Sequence, residues 1–239
     1  MALIEVNKVS RIYEMGETTI KALTDVSLKI EQQTFVSFVG PSGSGKTTLL
    51  NLIGCLDSPD IGEIKVNDVR VNGFNRKEAA IFRGTNIGFI FQNFNLLPVL
   101  TVYENVEYPL IMVQNIQEKK RRERVLKYLN AVGMTDQKDK YPSQISGGQK
   151  QRVAVARALV TDPKLVLADE PTANLDHASA FKVIKLMRQM QKDLKTTFIF
   201  STHDPKIVKE AEIIYTLEDG KLVNREDISN YNNQVREEN

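Results

Sequence analysis

The chain is poor in several features that would each have marked a class. It has one cysteine, Cys55, in 239 residues, so it can form neither an internal disulfide nor a multi-cysteine metal site. That usage fits a reducing compartment. Of its two histidines, His177 has no second ligand at metal spacing. No stretch approaches the roughly 18 consecutive apolar residues of a membrane span. The opening MALIEVNKVS lacks a basic segment followed by a long apolar one, so no secretory leader is expected and the default is a soluble cytoplasmic protein. Net charge is nearly absent: 32 Lys plus Arg against 30 Asp plus Glu leaves +2. A partner held by bulk electrostatics, such as duplex DNA coated non-specifically, is therefore disfavoured, and no nucleic acid is expected. What remains is ordinary: 41% hydrophobic and 26% charged residues exclude wholesale disorder. The length suits one large domain or two small ones, and there is no internal repeat.

Short β-type runs fill the first third, at Ala2 to Val6, Ala22 to Ile30 and Glu63 to Val66, with Asn67-Asp68 as a turn. Val26, Leu28 and Ile30 alternate at period two, the pattern of a half-buried strand. Phe35 to Val39 leads into a glycine-rich segment and then into the helical run Thr48 to Ile53. Further short, nearly continuous apolar runs lie at Ile87 to Phe91, Leu165 to Ala168, Phe198 to Ser201 and Ile213 to Thr216. Separated by helical stretches, they predict a mostly parallel sheet with helices on both faces. Thr101-Val102-Tyr103-Glu104 has capping-box spacing, and Val125, Leu129 and Val132 form an amphipathic stripe.

Gly40-Pro41-Ser42-Gly43-Ser44-Gly45-Lys46-Thr47 matches G-x-x-x-x-G-K-[ST]. Glycines let successive amides point into one anion-sized hollow, and the following helix adds its positive end. Lys46 supplies a point charge for the β- and γ-phosphates, and the Thr47 hydroxyl is a hard ligand for Mg²⁺. A glycine-rich turn that binds nothing is the plain alternative. The strand before and the helix after the motif favour the phosphate loop. Leu165 to Ala168 ends in Asp169-Glu170, where Asp169 suits the Mg²⁺ shell and Glu170 suits polarising an attacking water. Taken alone, two acids before Pro171 equally describe a helix N-cap; the phosphate loop decides for the metal.

Four further segments carry a family resemblance. Tyr141-Pro142-Ser143-Gln144-Ile145-Ser146-Gly147-Gly148-Gln149 is similar to the signature of ATP-binding cassette (ABC) ATPases. Phe91-Gln92 resembles their Q-loop, and Ser201-Thr202-His203-Asp204 their histidine switch. Ala173-Asn174-Leu175-Asp176 resembles their D-loop. All occur in family order, from Tyr13 to His203. Ile145 stands where Leu is usual, a volume-conserving change, and Asn174 where many relatives have Ala. Tyr13 to Glu17, Leu50 to Asp57 and Phe91 to Pro98 look like the lipoprotein-releasing (LolD-like) and macrolide-exporter (MacB-like) branch.

The resemblance implies a phosphate-loop NTPase core with an N-terminal antiparallel β subdomain and a helical insertion. The segments are 1–92 and 161–226 for the core, 93–160 for the insertion and 227–239 for a polar C-terminal tail. It implies a head-to-tail homodimer that sandwiches two ATP, the loop of one copy facing the signature of the other. Tyr13 would stack on adenine, and Ser42, Gly43, Ser44, Gly45, Lys46, Thr47 and Thr48 would hold the phosphates. Gln92 would join Thr47 and Asp169 at Mg²⁺. Ser146, Gly148 and Gln149 would reach the γ-phosphate across the interface, with Gly147 small for close approach. His203 would hold Glu170 and water in line. The implied function is ATP hydrolysis by the motor subunit of a transporter, driving an integral membrane permease docked near Gln92 and the segment up to Thr101, at the inner face of the cell membrane. The alternative is a regulatory ABC ATPase without cargo. Its translation and repair variants are disfavoured by the single cassette and by the 100 residues between Lys46 and Ser146. Plainer roles suit the rest: core packing for Cys55, and a solvated helix face for the basic run Lys119 to Arg124. Tyr13 alone reads as a packed strand aromatic.

Overall fold

The computed structural model describes residues 1–16, 18–114 and 116–228. Two compact units emerge: Met1–Ala80 together with the chain from Thr197 onward, and Ile81–Thr196. In chain order the elements begin β1 (Ala2–Met15), β2 (Thr18–Glu31), β3 (Phe35–Val39), α1 (Lys46–Ile53), β4 (Ile61–Val66), β5 (Val69–Arg70) and α2 (Arg76–Asn86), within which the first unit gives way to the second. Then come β6 (Ile87–Ile90), α3 (Val102–Pro109), α4 (Glu118–Ala131), α5 (Gly147–Leu159), β7 (Leu165–Ala168) and α6 (His177–Leu194). The chain returns to the first unit with β8 (Thr197–Ser201), α7 (Pro205–Val208), β9 (Ile213–Glu218) and β10 (Lys221–Asp227).

In the first unit, β2, β1, β4 and β5 form an antiparallel sheet in that order. Val26, Leu28 and Ile30 face inward as their alternation requires. Left-handed Lys8 and Asp25 (φ 48° and 52°) accompany register shifts in the β1–β2 pair, so the inward face passes to Leu23. Asn67 and Asp68, both at positive φ, make the two-residue turn expected there. A second group of strands pairs β3 parallel to both β8 and β9, with β10 antiparallel to β9. Phe35 packs on Phe200 at 4.9 Å between ring centroids, and Phe38 meets Tyr215 edge-on at 6.0 Å. The buried Tyr215 hydroxyl donates to the Lys29 carbonyl of β2 at 2.6 Å, tying the two groups of strands. Cys55 is buried just past α1, as expected of a core residue. The expected tail starts two residues too early: Asp227 pairs with Ile213, and the Ile228 amide donates to the Glu212 carbonyl. Residues 229–239 lie outside the described residues.

The second unit holds the parallel pair β6–β7, in register from Ile87↔Leu165 to Ile90↔Ala168. The regular elements described between 93 and 160 are all helical. Thr101 and Glu104 form the expected capping box: the Glu104 amide donates to the Thr101 hydroxyl, and the Thr101 amide to the Glu104 carboxylate at 2.7 Å. Asn105, buried on the next turn, donates to the carbonyls of Leu97, Leu100 and Thr101 and accepts from the Leu97 amide, which folds the loop ahead of α3 around one side chain. The basic run on α4 is solvated only in part. Arg121 bonds Glu107 at 2.6 Å, and Arg124 bridges Asp162 and Gln114, while Lys119, Lys120 and Arg122 face outward. Val125, Leu129 and Val132 are buried. Among the described residues no helix is long and apolar enough to cross a membrane.

Candidate functional site

Each unit gathers chemistry at the C-terminal ends of its parallel strands. In the first, β3 and β8 finish side by side, Phe38 opposite Ser201, and the Thr202 amide donates to the Phe38 carbonyl. The phosphate loop therefore leaves one strand next to where Thr202-His203 leaves the other. Lys46 is buried, and its ammonium donates to the carbonyls of Gly40 (2.8 Å) and Pro41 (2.7 Å), which arch it across the loop. Gly45 caps α1 at φ 100° with no side-chain cap bond, and the helix's positive end faces the loop. A Cβ on Gly45 would lie 2.6 Å from the Ala22 carbonyl, so only glycine fits. Ser44 and Gly45 are buried, whereas Ser42, Gly43 and Thr47 are exposed and Thr48 is half-buried.

Tyr13 is half-buried in the same unit. Its hydroxyl donates to Asp57 at 2.7 Å, and the Arg11 guanidinium covers one ring face at 4.7 Å. Burial, followed by the Asp57 contact, pushes its phenol pKa up, so the ring stays neutral.

In the second unit β6 and β7 end together, and the Asp169 amide donates to the Ile90 carbonyl at 3.0 Å. Phe91-Gln92 and Asp169-Glu170 leave from adjacent strands. Glu170 sits at φ 44°, a left-handed conformation that costs a side-chain-bearing residue about 1–2 kcal/mol. Gln92 is exposed, and Asn174 holds its backbone: the Asn174 side-chain Nδ2 donates to the Gln92 carbonyl at 3.0 Å and to Asn93 Oδ1 at 2.8 Å. Two residues on, left-handed Phe94 and Asn95 turn their carbonyls to Arg157 of α5. Burial pushes that guanidinium down to about 10.

Ser146 caps α5 in a full capping box. Its hydroxyl accepts from the Gln149 amide at 3.3 Å, and its own amide donates to Gln149 Oε1 at 2.9 Å. Gln149 is thereby spoken for at both ends, while the amides of Gly147 and Gly148 lie ahead of the first helical bonds. Gly148, Ser146 and Gln149 border a 480 Å³ cavity lined also by Arg152, Ser179, Lys182 and Val183. Two cations and a helix start give that hollow a positive field.

The structure thus brings together residues 42–48, Tyr13 and His203 within one unit, and Gln92, Asp169, Glu170 and residues 146–149 within the other. Sequence reasoning missed the supports. Gly220, at the turn between β9 and β10, donates its amide to the Ser44 carbonyl at 3.2 Å and accepts from Thr24 at 2.8 Å, bracing the phosphate loop from behind. An Asp-Gly pair between two strands was a readable signal for that turn, and Ser-x-x-Gln at 146–149 for the capping box. Nothing local announces Arg11, Asp57 or Arg157.

Comparison with known proteins agrees. The family model described as ABC transporter matches residues 23–173. An uncharacterized ABC transporter ATP-binding protein of Methanocaldococcus jannaschii is 40% identical over 97% of this chain and all of its own length. The macrolide export ATP-binding/permease protein MacB of Salmonella choleraesuis is 44% identical over 93% of this chain, which spans 34% of MacB. The solved dimeric, post-hydrolysis structure of the ATP-binding cassette MJ0796 bound to ADP and Pi superposes with a TM-score of 0.87 at 40% identity, covering 94% of this chain and 98% of that one. The chain belongs to the ABC transporter family, as one of its ATP-binding, ATP-hydrolysing cassettes.

Proposed function

We propose that the chain is the motor subunit of a membrane transport complex, working at the cytoplasmic face as a head-to-tail homodimer closed by two ATP. What supports this reading is that one chain offers two unlike candidate anion sites: a glycine-rich loop arched over Lys46, and a capped helix that presents Gly147, Gly148 and a cationic hollow. A fused permease in MacB and the dimer of MJ0796 support the same arrangement. Residues 42–48 hold the phosphates and Tyr13 the adenine. Ser146 to Gln149 of the second copy cover the γ-phosphate.

Thr47, Gln92 and Asp169 offer only oxygen donors, the ligand chemistry Mg²⁺ selects, so the residues fit that ion. When bound, it neutralises charge on the β- and γ-phosphates. Glu170 orients and deprotonates the attacking water, and His203 fixes the geometry of that pair. Hydrolysis removes the bridge between copies, and their opening moves the permease.

Glu170→Gln keeps the shape and removes the base. The variant is expected to bind ATP as the parent does, to lose turnover, and to sediment as a dimer with saturating ATP and magnesium. Parental turnover would refute the role of Glu170. A single copy at saturation would refute the dimer.

A further inference from the structure

On β1, Arg11 and Tyr13 stand two residues apart and share a face. Opposite them, in the connection from α1 to β4, lie Asp57 and Asp60. Arg11 donates to Asp57 through Nε and Nη2, both at 2.9 Å, in the paired geometry that guanidinium and carboxylate make best. Its Nη1 donates to Asp60 at 2.7 Å, and Asp60 in turn accepts the Ile12 amide at 2.7 Å. The Asp57 oxygen that accepts from Arg11 Nε also accepts the Tyr13 hydroxyl, at 2.7 Å. The same guanidinium lies 4.7 Å from the centre of the Tyr13 ring. The ring is therefore fixed twice, at its hydroxyl and across one face.

We infer that Arg11 and Asp57 are positioning residues for the nucleobase, holding the half-buried Tyr13 as a rigid platform for a planar base on the face away from Arg11. This rests on the reading of Tyr13 as the adenine contact. An unheld tyrosine would lose rotamer freedom on binding; here that loss is taken at folding, and affinity for the base rises accordingly. Because every base offers a π face, such a platform favours nucleoside triphosphates over bare triphosphate without choosing among bases. Asp57 also follows closely on the end of α1, whose first turn carries Lys46, Thr47 and Thr48, so platform and phosphate loop are anchored to one helix. The un-ionised phenol suits the role, since a phenolate would repel Asp57.

The test compares dissociation constants for ATP and for inorganic tripolyphosphate, with magnesium, in the full chain. Tyr13→Ala is expected to weaken ATP by about tenfold or more and to leave tripolyphosphate unchanged. Asp57→Asn, Arg11→Gln and Tyr13→Phe are each expected to weaken ATP by about three- to tenfold, again without effect on tripolyphosphate. A merely structural ion pair would move both ligands together, and that result in the three variants overturns the inference, as does no change in either ligand. Tyr13→Phe keeps the test open should the charge variants fold poorly. If Tyr13→Ala leaves ATP untouched, the platform reading itself falls; if it weakens ATP while the other three do not, only the positioning role falls.

Discussion

The brace behind the phosphate loop can be isolated with two glycines. Gly73 and Gly220 have similar left-handed φ, 84° and 74°. Alanine at either place is forced into a conformation that costs an L-residue about 1–2 kcal/mol. The surroundings differ. A Cβ on Gly73 meets nothing within 4 Å, whereas on Gly220 it lies 2.7 Å from the Ala22 carbonyl oxygen and 3.2 Å from Leu23 Cα. Those are backbone atoms of β2 and cannot swing aside, so overpacking adds about 1–3 kcal/mol at Gly220 alone. For a chain of this size 1 kcal/mol moves Tm by about 2–4 °C, so Gly220→Ala is expected to melt at least about 2 °C below Gly73→Ala. Relief of the clash pulls the turn from Ser44, whose carbonyl accepts the Gly220 amide at 3.2 Å. Losing that bond, worth about 0.5–1.5 kcal/mol, is expected to weaken ATP binding roughly two- to tenfold in Gly220→Ala and not in Gly73→Ala. Melting curves and calorimetric titration of both variants decide it. Equal melting and equal affinity would show that the turn does not brace the loop.

Asn174→Ala removes the bonds to the Gln92 carbonyl and to Asn93 Oδ1; hydrogen exchange at residues 92–95 is expected to quicken and kcat to fall with KM for ATP unchanged, and unaltered exchange would deny the tether. The Thr101 amide and hydroxyl hold the Glu104 carboxyl below its ordinary range. The folded chain then binds fewer protons than the unfolded one just below pH 4.5, so this contribution is present above that range and lost as pH falls through it. Between pH 5 and 3 the Tm of Glu104→Gln is expected to decline less steeply than that of the parent, and parallel curves would contradict the assignment. Ser146→Asp keeps an N-cap as good as serine and adds a negative charge, so its stability should stay within about 0.5 kcal/mol while ATP-dependent pairing in sedimentation is lost; Ser146→Ala should cost about 1 kcal/mol.

The elements legible in the sequence were those whose burial is uniform. β7 is apolar at every position and β3 at all but the buried Ser37, and both are legible to the residue because neither needs a polar face. β10 escaped notice because it lies at the edge of its group and is largely exposed, so Lys-Leu-Val-Asn-Arg-Glu-Asp carries no alternation. α2 places only Ala79 in the core, too little for a helical period to show. The site divides the same way. Its contiguous motifs could be read because a loop that wraps phosphate must be written in adjacent residues. Asn174 and Gln92 are 82 positions apart, and Arg157 and Asn95 62, so no local spacing encodes them. The basic run shows the opposite error: six polar residues look equally solvated, yet Arg121 and Arg124 are the pair whose spacing returns them to the packed face.

The two helix starts explain why a single chain needs both. At α1 the cap is a glycine with no side chain to offer, so the helix's positive end faces the loop, and Lys46 is held ready by two neutral carbonyls. Exchanging those carbonyls for anionic oxygens is favourable, since a hydrogen bond to an ionised group is about twice as strong. At α5 the opposite choice is made: the Gln149 amide already bonds to Ser146 Oγ. That bond takes a lone pair of the hydroxyl and leaves its proton to point elsewhere, which makes Ser146 a directed donor. Arg152 and Lys182 add charge beside it without enclosing anything. A wrapping site binds well alone; a site made of one aimed proton, two glycine amides and a cationic hollow gains most when an anion is brought to it already held. In the head-to-tail pair proposed above, each anion would be wrapped by one copy and then faced by the other, so loss of the γ-phosphate would weaken the second contact more than the first.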